Sequence, residues 1–300
     1  MNKTLPCLCK DTAPCRAWAA VYFICGSIFI FIGIVYLYYI WKDIRSQTPK
    51  LPGYKASQIV FIIAALFRGI GWVSHASLII SESPFTADIQ PVTIGFPGYI
   101  LSISFCLIFF LWCSIAVNLL INDLSGFYEK LRNLLAFLLV AVLITAAISI
   151  GITIYCEVIA RTSDEKHQME QSADIAHTIE AVNAILRDYV TAFAFLYYSV
   201  KIIKLLNKPL FSLRSNESVY CLMLLGLTAA LFVRGTSIAV YLGCFFFRSA
   251  NDSDEPNTEW TYGSLVNTII SAIFAEILPN LMIFFNRRRS GLLSVYDIVD

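Results

Sequence analysis

The chain has 300 residues, a net charge of +1, a mean hydropathy of +0.69 and only 14% charged residues. Soluble domains carry about 25% charged residues, so the composition excludes an ordinary soluble domain and indicates an integral membrane protein. No basic domain or aromatic-basic stripe is present, which argues against a nucleic-acid partner. Catalytic motifs and metal-ligand spacings are also missing, so we predict no enzymatic activity, no cofactor and no metal site.

Seven apolar stretches are long enough to cross a membrane, since a helix needs about 20 residues to span the hydrocarbon core. Hydrocarbon offers the backbone no hydrogen-bond partner, so each stretch must be helical. We therefore predict an all-α bundle of seven transmembrane helices over 17–286, between an N-terminal tail (1–16) and a C-terminal tail (287–300). The predicted helices are Ala17–Trp41, Ser57–Ser81, Phe96–Ile121, Leu134–Val158, Ala181–Leu205, Val219–Phe247 and Tyr262–Asn286.

The longest polar connection is Arg161–Glu180, between the fourth and fifth stretches. We interpret it as a solvated loop, and an extension of the fifth helix is the alternative. Arg187 and Asp188 follow near the start of the fifth stretch. We interpret them as residues at the membrane interface that need no functional role.

The orientation follows from loop charge, because cytosolic loops carry the excess of Lys and Arg. That excess places the N-terminus in the lumen or outside the cell and the C-terminus in the cytosol. Asn251 then lies in a lumenal glycosylation tripeptide. Tyr296 and Val299 form a candidate tyrosine-based sorting signal, which a clathrin adaptor binds as an extended strand. Three arginines, 287–289, anchor the last helix and attract anionic membrane lipids.

The last stretch carries an acid, Glu276, which costs at least about 2.5–3.5 kcal/mol in the bilayer if isolated. Pro279 and Asn280 lie on the same helical face, where Pro279 disturbs the backbone hydrogen bonds. Arg68 and Arg234 share the depth of Glu276 to within about one helical turn. We predict that both arginines neutralise Glu276 and clamp three helices together; a ligand site or conformational switch is the alternative. One positive charge is left over, which backbone carbonyls, an anionic ligand or a lipid headgroup would share.

Two further sets of residues continue the faces of these arginines. Trp72 and His75 follow Arg68, and Ser237 and Tyr241 follow Arg234, at helical spacing. We predict that they line a cavity open to the lumen, with ordinary helix packing as the alternative.

A family resemblance rests on segments in the second half of the chain: Phe195-Leu196-Tyr197-Tyr198, Phe232-Val233-Arg234 and Glu276-Ile277-Leu278-Pro279-Asn280. They resemble the tobamovirus-multiplication protein (THH) family of plants and related orphan seven-helix lysosomal membrane proteins. Arg68, Arg234, Glu276 and Pro279 take the family's motif positions, whereas the N-terminal tail and loops differ.

The resemblance implies a vacuolar or lysosomal membrane protein without enzymatic activity that associates with a small GTPase of the Arf-like or Rag type. Our leading hypothesis is that the chain recruits or regulates such a GTPase through its basic cytosolic face. Another endomembrane or the plasma membrane is the alternative location. The alternative function is a divergent G-protein-coupled-receptor-like sensor of a small ligand.

Overall fold

The computed structural model describes residues 13–45, 54–81, 95–120, 125–162, 166–205, 215–250 and 265–283. Within these ranges all regular structure is helical, and each of the seven predicted stretches contains a helix, so the all-α prediction is confirmed there. The helices are α1 (Ala13–Arg45), α2 (Tyr54–Ile80), α3 (Phe96–Leu120), α4 (Ser125–Thr162), α5 (Lys166–Leu205), α6 (Ser215–Ala250) and α7 (Leu265–Ile283).

Six of these helices are long and apolar enough to cross a membrane, namely α1, α2, α3, α4, α6 and α7. The protein is therefore an α-helical membrane protein, as its composition predicts. The helix outside this group is α5, which has 40 residues and is long enough but more polar.

The connection before α5 differs from our interpretation of a solvated loop. Residues 166–180 are helical and continue directly into the rest of α5, so the loop interpretation is wrong and the alternative, an extended fifth helix, is confirmed. The segment from Lys166 to Glu180 contains no Gly or Pro and is rich in Ala, Glu and Gln, which favour helix. Its polar composition had obscured that propensity.

The centre of the bundle is α3, which packs against α2, α4, α5 and α6. Its side chains are apolar on nearly all sides, which is typical of a helix surrounded by others. Leu101, Phe105 and Ile108 are fully buried, and the ring of Phe109 stacks on Phe195 of α5 with centroids 3.7 Å apart. Residues at the beginning of α3 therefore face several helices at once.

The closest approach of α1 and α2 is made at glycines. A Cβ atom on Gly69 would lie 2.8 Å from the carbonyl oxygen of Gly26 and 2.8 Å from the backbone nitrogen of Ile30. Small residues allow membrane helices to pack backbone against backbone in this way. This contact fixes the position of α2, which carries Arg68.

We expect Gly69→Ala to destabilise the protein by about 1–3 kcal/mol, because the added methyl group meets backbone atoms that cannot move aside. Thermal unfolding of the purified protein in detergent measures the change. Gly151→Ala on α4 is the matched control, since nothing lies within 4 Å of the added atom. An equal response of the two variants would contradict the close-packing explanation.

Candidate functional site

The first buried ion pair joins α2 to α7. The Nε atom of Arg68 donates to Oε2 of Glu276 at 2.8 Å, and its Nη2 atom donates to Oε1. Two parallel bonds of this kind hold a guanidinium and a carboxylate in one plane. The Arg68 guanidinium also lies 4.8 Å from the centre of the Trp72 ring, a cation–π contact. The prediction that Arg68 meets Glu276 is confirmed.

The second buried ion pair joins α6 to α5. Arg234 donates from Nε to Oδ2 of Asp188 at 2.6 Å and from Nη2 to Oδ1 at 2.5 Å. A further bond runs from Nη2 of Arg234 to the hydroxyl of Ser102 on α3, at 2.8 Å. We predicted that Arg68 and Arg234 both neutralise Glu276; the hydrogen bonds of Arg234 go to Asp188 instead. Asp188 lies on α5, the immediate packing neighbour of α6, whereas Arg68 already occupies both oxygens of Glu276.

Arg187 extends the second cluster. Its Nε atom donates to Oδ1 of Asp188 at 2.9 Å, so one carboxylate serves two arginines. Asp188 is completely buried, at 0% exposed, and Arg187 is buried as well. The two residues are therefore buried and paired inside the bundle, which the interpretation of them as interfacial residues without a role does not predict. A usable signal was present, since Asp188 is a second acid within a stretch predicted to cross the membrane.

All three arginines meet at the first turns of α3. A Cβ atom on Gly98 would lie 3.8 Å from Nη1 of Arg68, and the Arg187 guanidinium lies 4.6 Å from the centre of the Tyr99 ring. Ser102, one turn further, accepts the hydrogen bond from Arg234. The two clusters therefore adjoin along one turn of α3.

Among the side chains joined by hydrogen bonds, the charge balance is positive by one unit, because three arginines bond to Asp188 and Glu276. The sequence predicted the same excess from two arginines and one acid. Among the described residues, Nη1 of Arg234 is buried and has no hydrogen-bond partner. The site therefore contains a cation whose hydrogen-bonding capacity is only partly used.

The backbone of α7 is irregular at Glu276. Ser271–Ile277 forms a π-helical segment, closed by a bond from the backbone N–H of Leu278 to the carbonyl of Ile273. Pro279 has no N–H and its ring conflicts with α-helical geometry in the preceding turn, which explains a wider turn there. The side-chain amide of Asn280 donates to the carbonyl oxygen of Glu276 at 2.5 Å. The predicted distortion at Pro279 thus takes the form of a π segment.

Trp72 and His75 occupy a packed contact between α1 and α2. Both side chains are buried, and both rings meet the ring of Tyr22 edge to face, with centroids 5.4 and 5.2 Å away. This arrangement does not match their predicted role as the lining of an open cavity. The arrangement matches the alternative interpretation, ordinary helix packing, because aromatic rings from α1 cover this face of α2.

Ser237 and Asn267 connect α6 to α7. The Ser237 hydroxyl lies 3.0 Å from Oδ1 of Asn267, and the Asn267 amide donates to the Ser237 carbonyl at 2.9 Å. Ser237 is therefore also a packing residue rather than a cavity wall. Tyr241, one turn further along α6, is half-buried.

At the beginning of α3, Glu180 of α5 packs against Gly95, where an added Cβ atom would lie 2.6 Å from Oε1 of the glutamate. Burial raises the pKa of the Glu180 carboxyl, and the positive charge of Arg187 partly offsets this. Glu180 lies seven residues before Arg187 and hence on the same face of α5. Within the charged site, Glu180 is the residue that lies nearest the start of α3.

Three predicted sites, Asn251, Tyr296 and Val299, lie outside the described residues. Within the described ranges, no group of three or more His, Cys, Asp or Glu side chains is arranged to hold a metal ion. The fold and site define an α-helical membrane protein with two adjoining buried ion-pair clusters. No protein-family model matches the chain, and no curated protein or solved structure shows significant similarity to it.

Proposed function

We propose that the chain is a non-enzymatic seven-helix protein of an endolysosomal or vacuolar membrane that recruits or regulates a small GTPase of the Arf-like or Rag type. The observation that carries this proposal is where the family-like motif residues lie. Arg68, Arg234 and Glu276 all belong to the buried charge clusters, and Pro279 shapes the helix turn beside them. Motif residues that act together in this way support the THH-like resemblance and, through it, the GTPase proposal.

The proposal treats α5 as the seventh span. At 40 residues α5 is about 60 Å long, enough to cross a bilayer. Its central charges, Arg187 and Asp188, are buried and paired inside the bundle. On its outer side Leu186 and Phe193 are 59% and 60% exposed, as expected of residues facing lipid. An odd number of spans puts the two ends of the chain on opposite sides of the membrane.

The surface offered to the GTPase is basic. Lys42 and Arg45 at the end of α1, Arg132 near the start of α4, and Lys204 at the end of α5 are all exposed. In an up-and-down bundle these helix ends lie on the same side, which the excess of Lys and Arg assigns to the cytosol. A basic surface at this position attracts both anionic lipid and an acidic face of a partner.

Proximity labelling tests the proposal, with a biotin ligase fused to the C-terminus of the full-length protein. We expect small GTPases of the Arf-like or Rag type among the labelled proteins, and a severalfold loss of that labelling for the variant Arg45→Glu/Arg132→Glu. Arg16→Glu, at the opposite end of α1, is the control and should leave labelling unchanged. Recovery of heterotrimeric G proteins without any small GTPase would overturn the proposal.

The second candidate function is a receptor-like sensor of a small ligand. It is favoured by the excess positive charge and by the buried Nη1 atom of Arg234, which has no partner among the described residues. A ligand that accepts this hydrogen bond would stabilise one arrangement of α5 and α6 over another. An experimental structure with a co-purified molecule beside Arg234 supports this function, and a closed, dry bundle contradicts it.

A further inference from the structure

Arg187 has unused hydrogen-bond donors. Within the described part of the chain its side chain makes one hydrogen bond, from Nε to Asp188, and is 7% exposed. The two terminal amino groups find no acceptor there. The guanidinium lies beside the Tyr99 ring, which contributes a cation–π contact but accepts no conventional hydrogen bond.

The Asp188 carboxylate does not accept a hydrogen bond from the terminal amino groups of Arg187. Its Oδ1 atom already accepts from Arg187 and from Nη2 of Arg234, and its Oδ2 atom accepts from Nε of Arg234. Two arginines therefore share one carboxylate, so the hydrogen-bonded cluster carries one more positive than negative charge. Buried charge without compensation is costly, so an additional anion at this position is favoured.

The two neighbouring acids leave the terminal amino groups of Arg187 without a hydrogen-bond acceptor. Glu276 is occupied by Arg68, and Glu180 interacts with Arg187 electrostatically but forms no hydrogen bond with it among the described contacts. The first turns of α3 pass beside the site, and the positive end of that helix dipole adds to the attraction for an anion.

The same part of α5 borders lipid. Leu186, directly before Arg187, is 59% exposed, and Val182 and Val190 continue the exposed apolar row one turn to either side. Acyl chains along this row bring a lipid headgroup close to the beginning of α3. Guanidinium groups bind phosphate oxygens through parallel N–H donors, which are the groups that Arg187 has unused.

We infer that Arg187, held between α3 and α5, binds a singly charged phosphate group, carried by an anionic lipid headgroup or present as free phosphate. This inference does not depend on the small-GTPase proposal. It goes beyond the sensor alternative by naming a ligand class and by placing the ligand at Arg187 rather than at Arg234.

The test uses the purified full-length protein in phosphatidylcholine nanodiscs, with or without phosphatidylglycerol, and a separate arm with inorganic phosphate. We expect phosphatidylglycerol to raise the melting temperature and to bind measurably by native mass spectrometry. Competition by inorganic phosphate identifies free phosphate as a ligand, whereas binding of phosphatidylglycerol without such competition identifies the lipid as the source. No GTPase is present, so failure here is distinct from failure of GTPase recruitment.

Variants make the test specific to Arg187. We expect Arg187→Gln to weaken phosphatidylglycerol binding about tenfold or more, and Arg187→Lys to weaken it less, because lysine keeps the charge but lacks the planar fork. Glu180→Gln removes a competing negative charge and should tighten binding severalfold. Arg16→Gln removes an exposed charge from α1, outside both the Arg187 site and the basic cytosolic surface, and should leave phosphatidylglycerol binding unchanged.

Unchanged phosphatidylglycerol affinity in Arg187→Gln and Arg187→Lys overturns the inference, as does a wild-type protein that binds neither phosphatidylglycerol nor inorganic phosphate. If Arg187→Gln does not fold, the phosphatidylglycerol affinities of Arg187→Lys and Glu180→Gln still test the inference. A purely structural Arg187 predicts no change in lipid affinity for either of those two variants.

Discussion

Asp188→Asn is expected to destabilise the protein more than any other single side-chain substitution in the bundle. The asparagine keeps the shape of the side chain but removes the charge that neutralises Arg187 and Arg234. Removing one partner of a buried ion pair costs about 3–5 kcal/mol, because the other charge is left uncompensated. Here two guanidinium groups lose their carboxylate together, so we expect a value at the upper end of that range.

The measurement is the unfolding free energy in detergent, or the shift in melting temperature where unfolding is irreversible. Ser102→Ala is the matched control, since it removes a neutral acceptor from Arg234 and should cost only about 1 kcal/mol. Asp188→Glu retains the charge and should lie between the two. Equal effects of Asp188→Asn and Ser102→Ala would show that Asp188 does not hold both arginines.

Glu276→Ala has the second largest expected effect, because it leaves Arg68 buried in an apolar environment without its carboxylate. Both hydrogen bonds between the two side chains disappear, and we expect a loss of about 3–5 kcal/mol. Thermal unfolding of the purified variant measures it, together with the yield of folded protein after membrane extraction.

The double variant Arg68→Met/Glu276→Leu removes both members of this ion pair. Replacing both members of a buried ion pair by apolar residues of similar size is often neutral or stabilising. We therefore expect the double variant to be markedly more stable than Glu276→Ala alone. A normally stable Glu276→Ala protein would contradict a clamp between α2 and α7, and a double variant as unstable as the single one would show that the pair does more than neutralise charge.

Much of the architecture was predictable because long apolar stretches in a membrane have only one regular conformation available. Counting residues along the helices also placed Arg68 and Glu276 at one depth, and they do meet. Depth alone cannot decide which helices are neighbours, since that depends on rotation about each helix axis and on lateral packing. Arg234 was assigned to the wrong acid for this reason: its partner lies on α5, beside α6.

Asp188 was missed because the polar stretch before it was interpreted as a loop, which placed the start of the membrane span close to this residue. The helix propensity of residues 166–180 contradicts that interpretation, and the polar composition of the segment conceals this propensity. The distortion at Pro279 was predictable from its missing N–H. Its π-helical form was not, because a missing N–H and a crowded ring are compatible with either a kink or a wider turn.

The most direct measurement of the central claim is a set of double-mutant cycles on thermal stability, with Arg68→Met, Arg234→Met, Asp188→Asn and Glu276→Gln. The structure predicts strong coupling, roughly 1–3 kcal/mol, for Arg68 with Glu276 and for Arg234 with Asp188. It predicts much weaker coupling for Arg234 with Glu276, which interact without a hydrogen bond. Strong coupling of Arg234 to Glu276, with none between Arg234 and Asp188, would contradict the two-cluster arrangement.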